Sequence, residues 1–367
     1  AARRLARARL IGLDLEGNGF FRYPERVCLI QAALPDRVML IDPFAVGDLA
    51  PLGRVLADPG PVKVFHSCDW DLRSLHRDFG YTVTHLFDTS VAARFTGHHL
   101  VGLGNVLQTV LGISLNKSKQ LQRQDWTRRP LPEASLAYAA DDVRHLARLR
   151  NALRARLREL GREAWVAEEC QRLERLRYRA ADRSRAYLLV KGARALPPAA
   201  LSTLRELFVF REKAALAQDR PPFKILSEAV LMRLAREPAY AENMPESAWL
   251  ERRGLMPALR EALEQGRRRP AESLPKFASA PASKRLSTEG KRRLGELKAW
   301  RRREGERLGL DPSLIWPMRH LETIAAAPGR AWRDFKTGPD HEVRTWQAET
   351  YGDALRELSR TWRGSGR

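Results

Sequence analysis

The stretch Ile11-Gly12-Leu13-Asp14-Leu15-Glu16 decides the fold, because it combines the pattern of a buried strand with two acidic side chains. Side chains alternate between the two faces of a strand, so Asp14 and Glu16 project from the same side. Two carboxylates beside a hydrophobic strand are costly unless a cation or hydrogen-bond donors compensate them. The pair is therefore a candidate for two ligands of a divalent metal ion, although an Asp-x-Glu tripeptide is common and needs support from elsewhere in the chain.

Apolar runs bounded by Gly, Pro or Asp surround this stretch and are typical of short strands. Besides residues 10–15, they cover residues 27–33, 38–41 and 62–65. Apolar residues at three- and four-residue spacing predict helices over 49–57, 71–79 and 103–111. Pro132 then opens a long amphipathic stretch with one apolar stripe from Leu136 to Leu153. Strands followed by alternating helices predict an α/β domain with a mixed sheet.

A second acidic motif follows the strand that ends near His66. Asp69 and Asp71 both lie at the start of the next predicted helix, and either of them is also suited to capping that helix. Asp71 falls in the first turn, from which a side chain can point back toward the strand end. We therefore favour Asp71 over Asp69 as a third carboxylate of the site.

A third motif, Tyr138-Ala139-Ala140-Asp141-Asp142, lies in the predicted helix after Pro132. Tyr138 and Asp142 are four residues apart and so share a helix face, although an ordinary amphipathic helix has the same spacing. Taken together, four carboxylates suit Mg²⁺ or Mn²⁺ far better than zinc. Two such ions roughly 4 Å apart can hold the attacking and departing oxygens of a phosphodiester during hydrolysis. A tyrosine hydroxyl at the same place could position the attacking water.

The charge of the chain is unevenly distributed. The 367 residues carry a net charge of +21, of which residues 1–170 contribute +5 and residues 171–367 contribute +16. This excess indicates a polyanionic partner, most often nucleic acid, while solvated basic helices are the alternative. No uninterrupted apolar window is long enough to span a membrane, and the first residues do not resemble a secretory signal. The three scattered cysteines favour neither a disulfide framework nor a zinc site, so we expect a reducing, cytoplasmic compartment.

The second half of the chain contains an internal repeat at an ungapped offset of 90 residues. Leu207, Phe210 and Arg211 match Leu297, Trp300 and Arg301, and further aliphatic residues and prolines stay in step after them. The repeat predicts two copies of a small helical domain. The predicted segments are a first domain at 1–170, a helical connector at 171–194, repeats at 195–270 and 285–367, and a linker at 271–284.

The order Asp-x-Glu, Asp, Tyr-x-x-x-Asp on an α/β domain resembles the DEDD exonucleases of the tyrosine subtype, and within them the ribonuclease D family. Other stretches carry the same resemblance: Tyr23-Pro24, Val27-Cys28-Leu29-Ile30-Gln31, Leu40-Ile41-Asp42-Pro43, Phe87-Asp88-Thr89, Asp125-Trp126 and Arg129-Pro130-Leu131. The two helical repeats resemble the paired HRDC domains of that family, with Lys191-Gly192, Leu204-Arg205-Glu206-Leu207 and Asp219-Arg220-Pro221-Pro222 as their signature.

This resemblance implies a ribonuclease H-like fold for the first domain, followed by two all-α HRDC domains. It implies metal-dependent 3′→5′ hydrolysis of RNA from a free 3′ end to 5′-mononucleotides, with tRNA and other stable RNA precursors as expected substrates. Catalytic roles fall on Asp14, Glu16, Asp71, Tyr138 and Asp142. The four acids would bind two divalent ions, Mg²⁺ or Mn²⁺, and Tyr138 would orient or help deprotonate the water. We expect a monomer.

Substrate contacts are assigned with less support from the sequence. His66 lies next to the predicted site, although the sequence favours a histidine whose hydrogen bonds are satisfied at a strand end over a substrate contact. Lys117, Lys119, Arg123 and Arg129 belong to a basic run before the tyrosine helix, which suits either phosphate contacts or a solvated loop. Two other functions stay open from the residues alone. One is a 3′→5′ exonuclease acting on DNA, and the other is a nucleic-acid-binding protein without catalysis. The presence of all four acids argues against the second of these.

Overall fold

A computed structural model describes residues 1–115, 119–180, 182–270 and 286–364. The chain forms two compact units. The first comprises Ala1–Glu16, Val27–Tyr178 and Ser283–Arg367, and the second comprises Gly17–Arg26 and Arg179–Ala282. The five-segment division predicted above stays a prediction, and its linker at 271–284 lies outside the described residues. No helix in the described residues is long and apolar enough to cross a membrane.

The first unit is built on a mixed sheet, as the sequence predicts, and this sheet has five strands. The strands are β1 (Leu10–Gly17), β2 (Val27–Leu34), β3 (Arg37–Ile41), β4 (Val62–Phe65) and β5 (Leu86–Asp88). Their order is β3-β2-β1-β4-β5, with β1 parallel to β4, β4 parallel to β5, and β2 antiparallel to β3. The carboxyl ends of β1 and β4 therefore meet at one edge of the sheet. This edge carries the two acidic motifs that follow these strands.

Nine helices of the first 180 residues belong to the same unit. They are α1 (Ala2–Ala6), α2 (Ala50–Ala57), α3 (Asp69–Phe79), α4 (Thr89–Phe95), α5 (Leu103–Leu111), α6 (Lys119–Gln122), α7 (Glu133–Arg144), α8 (Leu146–Glu159) and α9 (Glu163–Glu174). The core forms where leucines of α8 spaced at three and four residues, such as Leu146, Leu149 and Leu153, pack against buried residues of the sheet. Apolar burial at this periodicity accounts for the stability of the unit.

The structure differs from the predictions of the sequence analysis in three features of this unit. The long helix expected after Pro132 is interrupted at His145 and forms two helices, α7 and α8. Leu136, expected in the buried stripe, is 36 % exposed, because only the α8 part of the stripe lies in the core. Strand β5 was missed, since three residues are too few to show an alternation of polar and apolar side chains.

The helical half of the chain confirms the 90-residue repeat. Its helices are α10 (Pro198–Ala217), α11 (Pro222–Ile225), α12 (Glu228–Arg236), α13 (Ser247–Arg252), α14 (Met256–Arg268), α15 (Thr288–Leu308), α16 (Pro312–Ile315), α17 (Met318–Ala326), α18 (Pro328–Arg333) and α19 (Thr345–Gly364). The bounds of α16 and α17 follow those of α11 and α12 at the predicted offset. Matched residues are also buried alike, as in Leu207 with Leu297 and Leu231 with Leu321.

The two repeats belong to different units. Helices α10 to α14 enclose a separate core within the second unit. Helices α15 to α19 share the core of the first unit, where the ring of Trp346 stacks on Trp165 of α9 at 4.5 Å. The backbone N–H groups of Thr345 and Trp346 also donate to the carboxylate of Glu168. The second repeat is thus an integral part of the unit that contains the sheet.

Candidate active site

Asp14, Glu16 and Asp142 form an acidic cluster at the carboxyl end of β1. One carboxylate oxygen from each of the three residues lies within 4.8 Å of the others. The alternation of β1 explains the first two, because Leu13 and Leu15 are buried in the core while Asp14 and Glu16 point the other way. Asp142 lies in the last turn of α7 and is 8 % exposed.

Gly12 explains how α7 reaches the strand. It lies two residues before Asp14 and so on the same face of β1. A Cβ atom at Gly12 would be 3.0 Å from the carbonyl oxygen of Val143 and 3.3 Å from Cβ of Leu146. The missing side chain therefore lets the junction of α7 and α8 approach the strand and brings Asp142 beside Asp14. The sequence analysis missed this residue, although a glycine within an apolar strand is itself a signal of close approach.

Asp71, rather than Asp69, faces this cluster. Asp71 is only 5 % exposed, and its Oδ1 atom is buried with no hydrogen-bond partner among the described residues. Asp69 is exposed and forms an ion pair with Arg73 at 2.8 Å on the outer face of α3. Asp71 thus has the buried position that a ligand of the site requires, and its role as a ligand stays a prediction.

Burial and mutual repulsion raise the pKa values of these acids. Loss of hydration, followed by the charges of Asp71, Glu16 and Asp142, raises the pKa of Asp14 well above its usual range. Burial and then the charges of Asp142 and Asp71 raise the pKa of Glu16 in the same way. Burial raises the pKa of Asp71 to about 7. Such a cluster needs a nearby positive charge to stay ionised at neutral pH.

The cluster fits a hard divalent cation. All its potential ligands are oxygen atoms, three of them are close enough to share one ion, and Asp71 contributes a buried oxygen that lacks a donor. Mg²⁺ and Mn²⁺ prefer carboxylate oxygens of this kind. Among the described residues, no Lys or Arg forms an ion pair with Asp14, Glu16 or Asp71. The protein itself therefore does not neutralise these three carboxylates.

Tyr138 lies one helical turn before Asp142 and is half-buried. Burial, the charges of Asp142 and Glu16 and a hydrogen bond to Asp142 raise the pKa of Tyr138 above its usual range, while a hydrogen bond from Gln122 opposes this shift. Its ring lies 6.3 Å from that of the buried Trp126. The phenol is consequently neutral at pH 7, and its hydroxyl group can donate or accept a hydrogen bond beside the carboxylates.

A cleft of about 200 Å³ gives access to the cluster. His66, Asp14, Tyr138 and Asp142 line it together with Gly102 and Leu103, which begin α5. The Nδ1 atom of His66 is 2.9 Å from Oγ1 of Thr89. The sequence analysis predicted the helix that begins at Leu103 but did not assign Gly102 or Leu103 to the site, because the sequence does not show that this helix begins beside the acidic residues.

Asp88 is the N-terminal cap of α4. Its carboxylate accepts hydrogen bonds from the N–H groups of Ser90 and Val91 at the start of α4. It also accepts from the N–H groups of Ser67 and Cys68, in the turn between β4 and α3. Asp88 thereby fixes the turn that leads to Asp71.

The residues predicted to contact substrate from the basic run differ in where the structure places them. Lys117 lies outside the described residues, as does the side chain of Lys119, while Arg123 is exposed. The assignment of Arg129 to phosphate binding needs correction. Its guanidinium group donates to both carboxylate oxygens of Asp42 and to the carbonyl oxygens of Cys28, Trp126 and Arg128. These bonds occupy its donors, so Arg129 holds the loop together instead.

Comparisons with known proteins agree with this geometry. A family model described as "3'-5' exonuclease" matches residues 1–158. A ribonuclease D from Pseudomonas paraeruginosa is 35 % identical over 94 % of this chain and 90 % of its own length. One from Xanthomonas oryzae pv. oryzae is 33 % identical over 89 % and 88 %.

Solved structures show the same fold. The crystal structure of Escherichia coli RNase D covers 98 % of this chain and 96 % of its own, with a TM-score of 0.70 and 21 % identity. The catalytic core of RRP6 from Trypanosoma brucei covers 72 % and 76 %, with a TM-score of 0.62 and 26 % identity. The fold, the acidic cleft and these matches define a 3′→5′ exonuclease. The chain belongs to the ribonuclease D family, as the motifs indicated, and it is a 3′→5′ exoribonuclease that uses divalent metal ions.

Proposed function

We propose that this exoribonuclease removes 5′-mononucleotides one at a time from RNA with a free 3′ end, at the cleft containing Asp14, Glu16, Asp71 and Asp142. The observation that carries the proposal is the oxygen cluster itself. Three carboxylate oxygens lie within 4.8 Å of one another, and at least three of the four acids lack a cationic partner among the described residues. Such repulsion is tolerated where bound cations offset it.

The four carboxylates would hold two divalent ions, Mg²⁺ or Mn²⁺. Ions bound there supply the positive charge that activates the attacking water and stabilises the departing 3′-oxygen in an in-line displacement. The raised pKa of Tyr138 argues against a role as the base and supports a positioning role. Its hydroxyl group would orient the water by a hydrogen bond, while Asp142 holds that hydroxyl group in place. The cleft wall at Gly102 and Leu103 would receive the terminal nucleotide.

The helical repeats would bind the rest of the RNA. Residues 171–367 carry a net charge of +16, which supports phosphate binding, and their repeat supports the assignment as two HRDC domains. Family membership supports precursors of tRNA and other stable RNAs as substrates. A single chain contains every proposed site residue, which supports a monomer. Three buried thiols, Cys28, Cys68 and Cys170, suit a reducing cytoplasm.

The test uses 5′-labelled single-stranded RNA and DNA of the same sequence, in Mg²⁺, in Mn²⁺ and in EDTA. We expect a metal-dependent ladder that shortens the RNA from its 3′ end and releases 5′-mononucleotides. An RNA with a 3′-phosphate should resist, and a tRNA with a 3′ extension should be trimmed to a defined end. Equal trimming of DNA would contradict the RNA preference, and binding without cleavage in any metal would contradict the activity.

A matched pair of variants tests the site. Asp71→Asn should lower the rate by at least about 100-fold, because it removes a buried ligand, whereas Asp69→Asn removes an exposed charge two residues away and should leave the rate unchanged. Equal losses in both variants would mean that Asp71 acts only through the stability of α3.

A further inference from the structure

A second cavity adjoins the active-site cleft within the first unit. It has a volume of about 240 Å³ and lies between the connection from α4 to α5 and the start of α16. Arg94, His98 and His99 line the cavity on the side of α4 and its connection to α5. Asp311 and Ser313 line it at the start of α16. Neither the catalytic cluster nor the predicted substrate contacts include any of these residues.

The chain connects the cavity to the cleft over a very short distance. Val101 lines the cavity, while Gly102 and Leu103 line the cleft together with Asp14 and Tyr138. Two residues of extended chain span at most about 7 Å. A single strand of RNA whose terminal nucleotide lies in the cleft therefore needs to extend by only one or two nucleotides to bring a phosphate to this cavity.

Positive charge predominates around the cavity. The guanidinium group of Arg94 is exposed and forms no ion pair among the described residues. Arg301 on α15 lies close enough for its charge, with that of Arg94, to lower the pKa of the Asp311 carboxyl. The Nε atom of Arg301 is buried and has no hydrogen-bond partner in the described part of the chain. Two guanidinium groups therefore face one carboxylate, and one positive charge stays uncompensated.

The single acid at the cavity already has partners. Hydrogen bonds from the backbone N–H and the side chain of Ser313 lower the pKa of Asp311, with the N–H group at 2.7 Å. His98 is also oriented, since its Nδ1 atom lies 3.0 Å from Oγ1 of Thr96 and 3.2 Å from the carbonyl oxygen of Ala93. Among the residues that line the cavity, Arg94 thus carries the exposed guanidinium group, and Arg301 adds positive charge near Asp311 without lining the cavity.

The walls of the cavity are held rigidly. Arg162 is 6 % exposed and donates to the carbonyl oxygens of Phe95 and Leu308, each at 2.8 Å, so it joins the end of α4 to the end of α15. Gly97 has a φ of +93° and packs so closely that a Cβ atom would lie 3.0 Å from the carbonyl oxygen of Gly309. A site held in this way loses little entropy when a ligand binds.

We propose that this cavity binds a phosphodiester group of the RNA strand, one or two nucleotides upstream of the bond being cleaved. Arg94 would donate to the phosphate oxygens, Arg301 would add positive charge from α15, and His99 would contact the adjoining sugar or phosphate. The second helical repeat then takes part in substrate binding through a defined site, beyond its overall positive charge. This inference rests on the proposed function, because it assumes that the terminal nucleotide occupies the cleft.

The test measures kcat/KM for RNA oligomers of two to six nucleotides with the wild type, Arg94→Ala and Arg301→Lys. A charge-assisted contact to phosphate predicts a loss of about 10- to 100-fold for Arg94→Ala. The loss should be confined to oligomers of three or four nucleotides and longer, and appear mainly in KM. Arg94 is exposed, so its replacement does not threaten folding, and Arg301→Lys keeps the charge but changes the donors. Arg303→Ala, an exposed arginine on the same helix, is the matched control and should leave kcat/KM unchanged.

The outcomes separate the subsite from the proposed function. A wild type that cleaves no RNA would refute the function itself, whereas a loss in Arg94→Ala that is equal for every length would refute the subsite alone. Calorimetric titration with adenosine 5′-monophosphate distinguishes a free nucleotide from the strand. Binding of the mononucleotide that Arg94→Ala abolishes would assign the cavity to product and overturn the proposal.

Discussion

Replacing Asp142 by Asn should stabilise the metal-free protein while it destroys activity. The oxygens of Asp14, Glu16 and Asp142 lie within 4.8 Å, and two full charges at that distance repel each other by about 3.5 kcal/mol at an effective dielectric constant of 20. Asp142→Asn removes two of the three repulsions and keeps an oxygen that can accept the hydrogen bond from Tyr138. Proton uptake by the acids relieves part of the repulsion at neutral pH, since their pKa values are raised. The expected gain is on the order of 1–3 kcal/mol, or about 2–6 °C in Tm for a unit of this size.

Thermal unfolding in EDTA and in increasing Mg²⁺ measures this gain. The wild type should unfold at a lower temperature than Asp142→Asn in EDTA, and its Tm should rise with Mg²⁺ as the cation binds the folded state. The variant should show a much smaller rise, because it has lost a ligand. Asp141→Asn is the control, since Asp141 is half-exposed and paired with Arg144 at 3.0 Å. A lower Tm for Asp142→Asn than for the wild type in EDTA would refute the reasoning that these carboxylates repel one another.

Three further changes test separate parts of the structure. Gly12→Ala should lower kcat and Tm, and should lower the free energy of unfolding by about 1–3 kcal/mol, because its Cβ atom would press on Val143. The control is Gly47→Ala, which should change neither kcat nor Tm because no atom lies within 4 Å of the added Cβ. Tyr138→Phe should lower kcat by about 100-fold with little change in KM, and an unchanged kcat would exclude its hydroxyl group from catalysis. Burial lowers the pKa of His320 to about 4, so the unfolded chain binds a proton near pH 6.5 that the folded chain does not. The free energy of unfolding should therefore fall by up to about 2–3 kcal/mol as the pH is lowered from 6.5 to 4. Urea titrations at several pH values should show that the free energy of unfolding of His320→Gln depends less on pH over this range.

The sequence predicted the acidic residues because their chemistry is visible in single positions. Asp14 and Glu16 follow from strand alternation, and Tyr138 with Asp142 follow from helical spacing, so each pair needs only local geometry. Asp69 and Asp71 both lie in the first turn of α3, so that position alone does not distinguish them, whereas their burial in the structure does. Resemblance to a family then joined the three motifs, which local periodicity alone does not do.

Features that depend on close packing between distant segments were not visible in the sequence. Gly12 matters because α7 and α8 approach it, and although a glycine within an apolar strand indicates a close approach, the sequence near Gly12 does not show which segment approaches. Arg129 is a residue type that commonly binds phosphate, but its donors are occupied by Asp42 and by carbonyl oxygens that the fold brings together. The break at His145 was likewise not visible, because the three- and four-residue spacing of apolar residues continues through it from α7 into α8.

The two helical repeats have equivalent helices but support different segments. In the second unit, the hydroxyl group of Tyr23 donates to Glu212 and its backbone N–H group donates to Asp219, both near the end of α10. In the first unit, the equivalent end of α15 is joined through Arg162 to the end of α4. Tyr23 lies seven residues after Glu16, and α4 leads by a short connection to Gly102 in the cleft. Each copy of the repeat therefore holds a segment that is continuous along the chain with residues of the active site, namely residues 17–26 after Glu16 in the second unit and the connection from α4 to Gly102 in the first.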